Sequence, residues 1–175
     1  MIIAGGTYKS VPSLVRLVNT FRTRNPLMED KHLDDLDDLL RVGLIYDFFF
    51  DGSTKVLPPE FRFNLKVGNA VIKGFCDRIA FYGDRAVIRD FKSSARRFTE
   101  AELENNIQAA VYQLAVKEVF GVSARVEFIM LRHPRKFLQV VEPYTESQLK
   151  GLVSYLEHLN KEFDTFTVEK ARMNL

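Results

Sequence analysis

The stretch V-I-R-D-F-K-S-S at 87–94 sets an aspartate and a lysine two places apart in a run rich in β-branched and aromatic residues. In an extended chain, side chains alternate, so Ala86, Ile88, Asp90 and Lys92 share one face and Val87, Arg89 and Phe91 the other. A carboxylate and an ammonium that continue an apolar row are costly to desolvate unless something pairs with them. Two accounts are open at this point. The charges pair with each other at the rim of a core, or they hold a ligand there.

A second acid keeps similar company. The run V-I-K-G-F-C-D-R-I-A-F places Asp77 among Phe75, Cys76 and Ile79, more apolar surroundings than a surface aspartate keeps. If the two runs form a hairpin around Tyr82-Gly83-Asp84, Asp77 and Asp90 lie at the same end of it. Two carboxylates at one point repel unless a proton or a cation separates them. Hard oxygen ligands favour magnesium or manganese, and no His/Cys cluster competes for a softer metal.

These residues need elements to position them. Apolar residues at Val11, Leu14, Val15, Val18 and Phe21 predict a helix over 10–24, with Ser10 as N-cap. Leucines at 33, 36, 39 and 40 predict a second helix over 29–42, whose aspartates at 34, 35, 37 and 38 form a solvated face. Phe61, Phe63, Leu65 and Val67 alternate with Glu60, Arg62, Asn64 and Lys66, a strand with one wet face. Gly68-Asn69 turns into a strand over 70–81, and Tyr82-Gly83-Asp84 turns into another over 85–92. Thr99, with Glu102 three residues on, opens a helix running to Phe120, where Gly121 stops it. Strands over 124–132 and 137–142 flank a basic turn, and a helix over 145–163 follows. The order gives one α/β domain over 1–175, with a helical part about 10–50, a core about 57–163 and a mixed central β-sheet flanked by helices.

Composition sets the outer limits. The chain has 175 residues, 46% hydrophobic, which suits one domain with a sizeable core. A net charge of +2 neither demands nor excludes nucleic acid. Cys76, the single cysteine, rules out an internal disulfide framework and fits a reducing cytoplasm. No stretch approaches a membrane span, and the N-terminus has no signal-peptide pattern.

Three motifs in order carry a resemblance. G-F-C-D-R (74–78), then D-F-K-S (90–93), then Gln108 and Tyr112 as Q-x-x-x-Y, resemble the RecB-like branch of the PD-(D/E)XK nucleases. The step from Asp77 to Asp90 is the family's thirteen residues, and Ser93 stands where threonine is usual. The likeness covers about 57–163 and implies a restriction-endonuclease-like core. It also implies a metal-dependent DNA nuclease, an end-acting exonuclease of phage, recombination or repair type.

By the same resemblance Asp77, Asp90 and the backbone carbonyl of Phe91 ligate Mg2+ or Mn2+, and Lys92 orients water or offsets charge on the phosphate. Gln108 and Tyr112 stand one helical turn apart, either as a brace or beside the DNA strand. Glu60 matches a glutamate that members often carry before G-x-x-D-R, with an ordinary solvated glutamate as the equal alternative. Arg78, Ser93, Arg96 and Arg97 are candidates to contact nucleic acid, as are Arg132, His133, Arg135 and Lys136 in the basic turn. A helicase or recombination protein is a conceivable partner, and no membrane is involved.

Two departures stand against full identity with the branch. Serine occupies position 10 where many members carry a metal-binding histidine; His32, on the acidic helix, is either a substitute or, the more ordinary reading, a solvated histidine. The cysteines that hold an iron–sulfur cluster in some members are absent, so no such cluster is expected. These departures motivate an alternative, a catalytically inactive nuclease-fold module that binds nucleic acid or a protein partner.

Overall fold

The computed structural model describes residues 11–26 and 52–165; the helix expected over 29–42, Ser10 and His32 lie outside them. Helix α1 spans Val11–Arg24 and ends before Asn25-Pro26, where proline restricts the preceding residue. No helix among the described residues is long and apolar enough to cross a membrane.

After the short strand β1 (Lys55–Val56), the alternating run forms β2 (Phe61–Val67). Gly68, at φ 56°, turns it into β3 (Ala70–Cys76). The two pair antiparallel from Phe61 opposite Cys76 to Val67 opposite Ala70. Phe63, Leu65 and Val67 are buried, while Arg62, Asn64 and Lys66 face water.

The chain then departs from the expected strand over 70–81, which is broken at Asp77. β3 stays with β2 in a two-stranded sheet, and β4 (Arg78–Tyr82) joins a different one. The cause is an exchange of hydrogen-bond partners at the corner. The Asp77 carbonyl accepts from the Glu60 amide at 3.0 Å, while its carboxylate accepts from the Phe91 amide at 2.8 Å across the other sheet.

β4 pairs antiparallel with β5 (Arg85–Lys92), Arg78 opposite Arg89. β5 pairs parallel with β6 (Ser123–Met130), and β7 (Leu138–Val141) lies antiparallel to β6. The five-stranded order is β1-β4-β5-β6-β7, a mixed sheet as expected. A parallel neighbour requires a crossover, and two helices supply it. These are α2 (Glu100–Glu104) and α3 (Ile107–Phe120), where one helix over 99–120 was expected. Thr99 and Glu102 form the predicted capping box. Asn105 and Asn106 divide the helix because their side chains offer the backbone other partners: Asn105 Nδ2 donates to the Ala101 carbonyl, and Asn106 Oδ1 accepts from the Ala109 amide. Helix α4 (Glu146–Asp164) closes the described fold, N-capped by Thr145.

One face of the larger sheet carries Ile79, Ile88, Val126, Phe128 and Met130, all fully buried. Against it pack α3, through Ala109, Tyr112, Ala115 and Val116, and the inner face of the β2–β3 hairpin. Each fully buried Ile or Phe contributes about 1.5–3 kcal/mol. Val119, in the last turn of α3, is 52% exposed.

Gly74 is fixed by this packing. A Cβ there would lie 2.4 Å from Cζ of Phe63, whose ring is buried and meets Tyr112 edge-on with centroids 6.1 Å apart. Gly74→Ala therefore forces the ring off its seat against Tyr112. We expect a loss of about 1–3 kcal/mol in urea unfolding, the usual cost of overpacking; an unchanged midpoint would show that the ring yields freely.

Candidate active site

The corner at Asp77 and the end of β5 bring the predicted residues together. Asp90 is 4% exposed, yet it lies on the apolar face of β5. Its Oδ1 accepts from Gln108 Nε2 at 3.1 Å and from the Tyr112 hydroxyl at 3.2 Å. Gln108 Nε2 also lies 2.8 Å from the Tyr112 oxygen. The helical pair is thus a brace on Asp90, directed at the carboxylate rather than merely at itself. Burial and the Asp90 charge push the Tyr112 hydroxyl well above its ordinary pKa, which keeps its proton in place for donation.

The other oxygen, Asp90 Oδ2, is buried and accepts no hydrogen bond. The Lys92 ammonium lies 2.7 Å from it, an ion-pair contact outside hydrogen-bond geometry. The same ammonium donates to Gln108 Oε1 at 2.7 Å and sits 5.4 Å from the Phe128 ring centre. The first account of the opening motif is the one seen directly. Asp90 and Lys92 pair at the rim of the core, and the pairing leaves one buried oxygen without a hydrogen bond.

Asp77 completes the group. Burial raises its pKa above the ordinary 3.8, the Phe91 amide opposes this, and the neighbouring Asp90 charge raises it further. Lys92 pulls in the other direction, and Glu60 adds to the rise. Glu60 is itself exposed and is the one described non-glycine residue at positive φ, 56°. Such conformations persist only where surrounding structure holds them, and here the Glu60 amide is tied to the Asp77 carbonyl. The buried Cys76 thiol, just before the corner, is pushed up to about 12, first by burial and then by both aspartates, which makes it a poor nucleophile.

Among the described residues no three His, Cys, Asp or Glu side chains gather as a ready metal cage. What they offer is two acidic groups, with an orphaned buried oxygen on one and a raised pKa on the other. That donor set fits a hard divalent ion that keeps several waters, as magnesium does with one or two carboxylates.

The raised pKa gives a signed expectation for metal-free protein. The folded state holds the Asp77 proton more tightly than the unfolded chain, so stability falls as pH rises from about 3.8 to the raised folded value, then levels. Asp77→Asn removes that slope and keeps an acceptor for the Phe91 amide. In EDTA we expect its melting temperature to equal or exceed wild type at pH 7 and the difference to vanish near pH 3. A variant less stable than wild type at pH 7 would mark Asp77 as a structural ion.

The remaining candidates divide. Arg78 is half-buried opposite Arg89, and burial with that neighbouring charge lowers its pKa. Ser93 is exposed directly after β5. Arg96 is engaged in a two-pronged ion pair with Glu102 at 2.6 and 2.9 Å. Arg97 Nε is buried without a hydrogen bond. The basic turn with Arg132, His133, Arg135 and Lys136 starts beside the site, since the Leu131 amide donates to the Lys92 carbonyl at 2.9 Å.

Sequence reasoning missed a charged cluster on the reverse face. Arg89 Nε pairs with Glu127 at 2.9 Å, both buried, and Arg125 pairs with the other Glu127 oxygen. Glu127 inside the apolar run V-E-F-I-M was the available signal. A cavity of about 540 Å³ opens there, lined by Tyr82, Arg85, Arg89, Arg125 and Glu142 among others. It lies behind the sheet from Asp90 and Lys92, and two of its lining residues, Arg89 and Arg125, are both paired with Glu127.

The family model for the PD-(D/E)XK nuclease superfamily matches residues 22–173. The chain belongs to that superfamily. Its mixed sheet flanked by helices is accordingly the restriction-endonuclease-like core expected from the motifs. Among solved structures, one from Eubacterium rectale carries the name "Putative exonuclease", with 13% identity and a TM-score of 0.46 over 90% of this chain and 66% of that one. Another, SSO0001, shows 16% identity and a TM-score of 0.38 over 90% of this chain and 79% of that one. The chain thus spans just under two thirds of the first of these. No curated protein sequence matches it.

Proposed function

We propose that the chain is a divalent-metal-dependent deoxyribonuclease that hydrolyses phosphodiester bonds from strand ends, in recombination, repair or phage DNA processing. One observation carries the reading. Asp77 and Asp90 converge at a break between two sheets, with Lys92 held between Asp90 Oδ2 and Gln108.

Asp77, Asp90 and the Phe91 carbonyl would hold Mg2+ or Mn2+, with Glu60 at hand through water. The bound ion would supply an activated water, charge relief at the phosphate and help for the leaving oxygen. The chain's own residues do the rest. Gln108 and Tyr112 bind Asp90 Oδ1, fixing the carboxylate and leaving Oδ2 turned to the ligand side. Lys92, 24% exposed, reaches that side as a compact point charge. Released from Asp90, it offsets negative charge that grows on the scissile phosphate. Ser93 and the basic turn flank the same end of the sheet and would meet flanking phosphates.

The test is cleavage of single- and double-stranded DNA labelled at either end, with manganese, with magnesium and with EDTA. Metal-dependent release of short products from one labelled end is the expected result. Internal fragments would replace end-acting cleavage by internal cleavage, and no metal-dependent product from any substrate would overturn the reading.

A further inference from the structure

The β2–β3 hairpin leaves the main sheet at Asp77 and carries one face that nothing in the described structure covers. Its outward positions are Arg62, Asn64 and Lys66 on β2 and Val71, Lys73 and Phe75 on β3. Cross-strand pairing sets Arg62 beside Phe75, Asn64 beside Lys73 and Lys66 beside Val71. Phe75 is 55% exposed and Val71 54%, values unusual for large apolar side chains on a strand. None of the six outward residues is acidic, and Arg62, Lys66 and Lys73 make no ion pair with any described residue.

This face is continuous with the acidic corner. Arg62 follows Glu60 by two residues and Phe75 precedes Asp77 by two, so the Arg62–Phe75 pair is the outward-facing rung nearest Glu60 and Asp77. The rungs beyond recede at about 7 Å per two residues. Basic groups tracking a backbone, interleaved with an aromatic ring, are the combination that binds single-stranded nucleic acid. A ring stacks on an unpaired base, whereas bases in a duplex are already stacked on each other.

We propose that this outer hairpin face is a track for single-stranded DNA, delivering the strand to Asp77 and Asp90. Phe75 stacks on a base beside the scissile region, and Arg62, Lys66 and Lys73 neutralise phosphates further along. The proposal rests on the nuclease reading for its purpose, though the binding itself requires neither metal nor turnover.

The experiment is fluorescence anisotropy of the purified chain with a labelled oligo-dT and with a labelled duplex, in EDTA across a salt series. Phe75→Ala should weaken single-strand binding by roughly five- to a hundredfold and leave duplex binding unchanged. Phe75→Leu, which keeps apolar area without a ring, should behave as the alanine variant does. Arg62→Ser/Lys66→Ser/Lys73→Ser should reduce the log–log salt slope by about two, at about 0.7 per phosphate contact. Lys161→Ser, exposed on α4, serves as the control and should change neither. Full affinity in the leucine variant would mean an apolar contact, such as a protein partner makes, and would overturn the proposal. So would wild-type preference for duplex, absence of oligo-dT binding, or unaltered binding in both the alanine and triple variants. A wild type that binds by this face but never cleaves would sink the nuclease reading alone. One that cleaves while these variants bind normally would sink the track alone.

Discussion

Asp90→Ala should abolish metal-dependent cleavage and unfold in EDTA at lower urea than wild type, by about 2–3 kcal/mol. The stability loss follows from what the carboxylate satisfies. Gln108 and Tyr112 both donate to Oδ1, and the Lys92 ammonium lies against Oδ2. Removing one partner of a wholly buried ion pair costs about 3–5 kcal/mol, chiefly because the other charge is left uncompensated. Lys92 retains some water and its bond to Gln108, so the smaller figure applies here. The catalytic loss has a separate origin. A metal's charge stabilisation is worth several kcal/mol, and at 1.36 kcal/mol per decade about 4 kcal/mol is roughly a thousandfold in rate. Asp90→Asn separates the two effects, since its amide oxygen still accepts from Tyr112 and Gln108. It should recover only the hydrogen-bonded part of the stability, since Lys92 still lacks its counter-ion, and lose the cleavage. An asparagine variant that cleaves within tenfold of wild type would remove Asp90 from the site.

How much of this was legible in the sequence depends on the range of each signal. The alternation of Phe61, Phe63, Leu65 and Val67 specified a strand and its buried face, because a strand's period is local. Thr99 and Glu102 announced a helix start for the same reason, and the thirteen-residue step from Asp77 to Asp90 fixed their convergence once a hairpin between them was assumed. The break at Asp77 was not legible. Residues 70–81 have strand character throughout, and the division between two sheets shows only in the tertiary bonds at Asp77, whose carbonyl accepts from the Glu60 amide and whose carboxylate accepts from the Phe91 amide. Asn105-Asn106 did carry a local signal for dividing the helix, outweighed by the apolar periodicity on either side. Lys92 bonding Gln108 joins a strand to a helix sixteen residues on, and no spacing rule predicts such a contact. Tyr112 and Gln108 were recognisable as a pair, but that both address Asp90 rather than bracing the helix needed the packed structure.

Lys92→Met should bind manganese about tenfold more tightly than wild type while losing cleavage. In the metal-free protein the ammonium lies 2.7 Å from Asp90 Oδ2, the oxygen that accepts no hydrogen bond. A divalent ion approaching that carboxylate meets an existing positive charge, and like charges a few ångströms apart in a partly buried site repel by several kcal/mol before relaxation. Lys92 relieves most of this by moving toward solvent while keeping Gln108 within reach, so a residual tenfold is the reasonable scale. Methionine keeps an unbranched stem of similar length and removes the competing charge. In EDTA the variant should melt lower than wild type, because Asp90 loses its counter-ion, and manganese should raise its melting temperature by more than it raises wild type's, as tighter binding to the folded state requires. Calorimetric titration and melting curves read both effects without turnover. Equal or weaker manganese binding by the methionine variant would mean that Lys92 supports the ion rather than competing with it. Tighter binding with lost cleavage would assign the lysine a single charge used twice, first to hold Asp90 in place before the ion arrives, then to face the phosphate once the ion has displaced it.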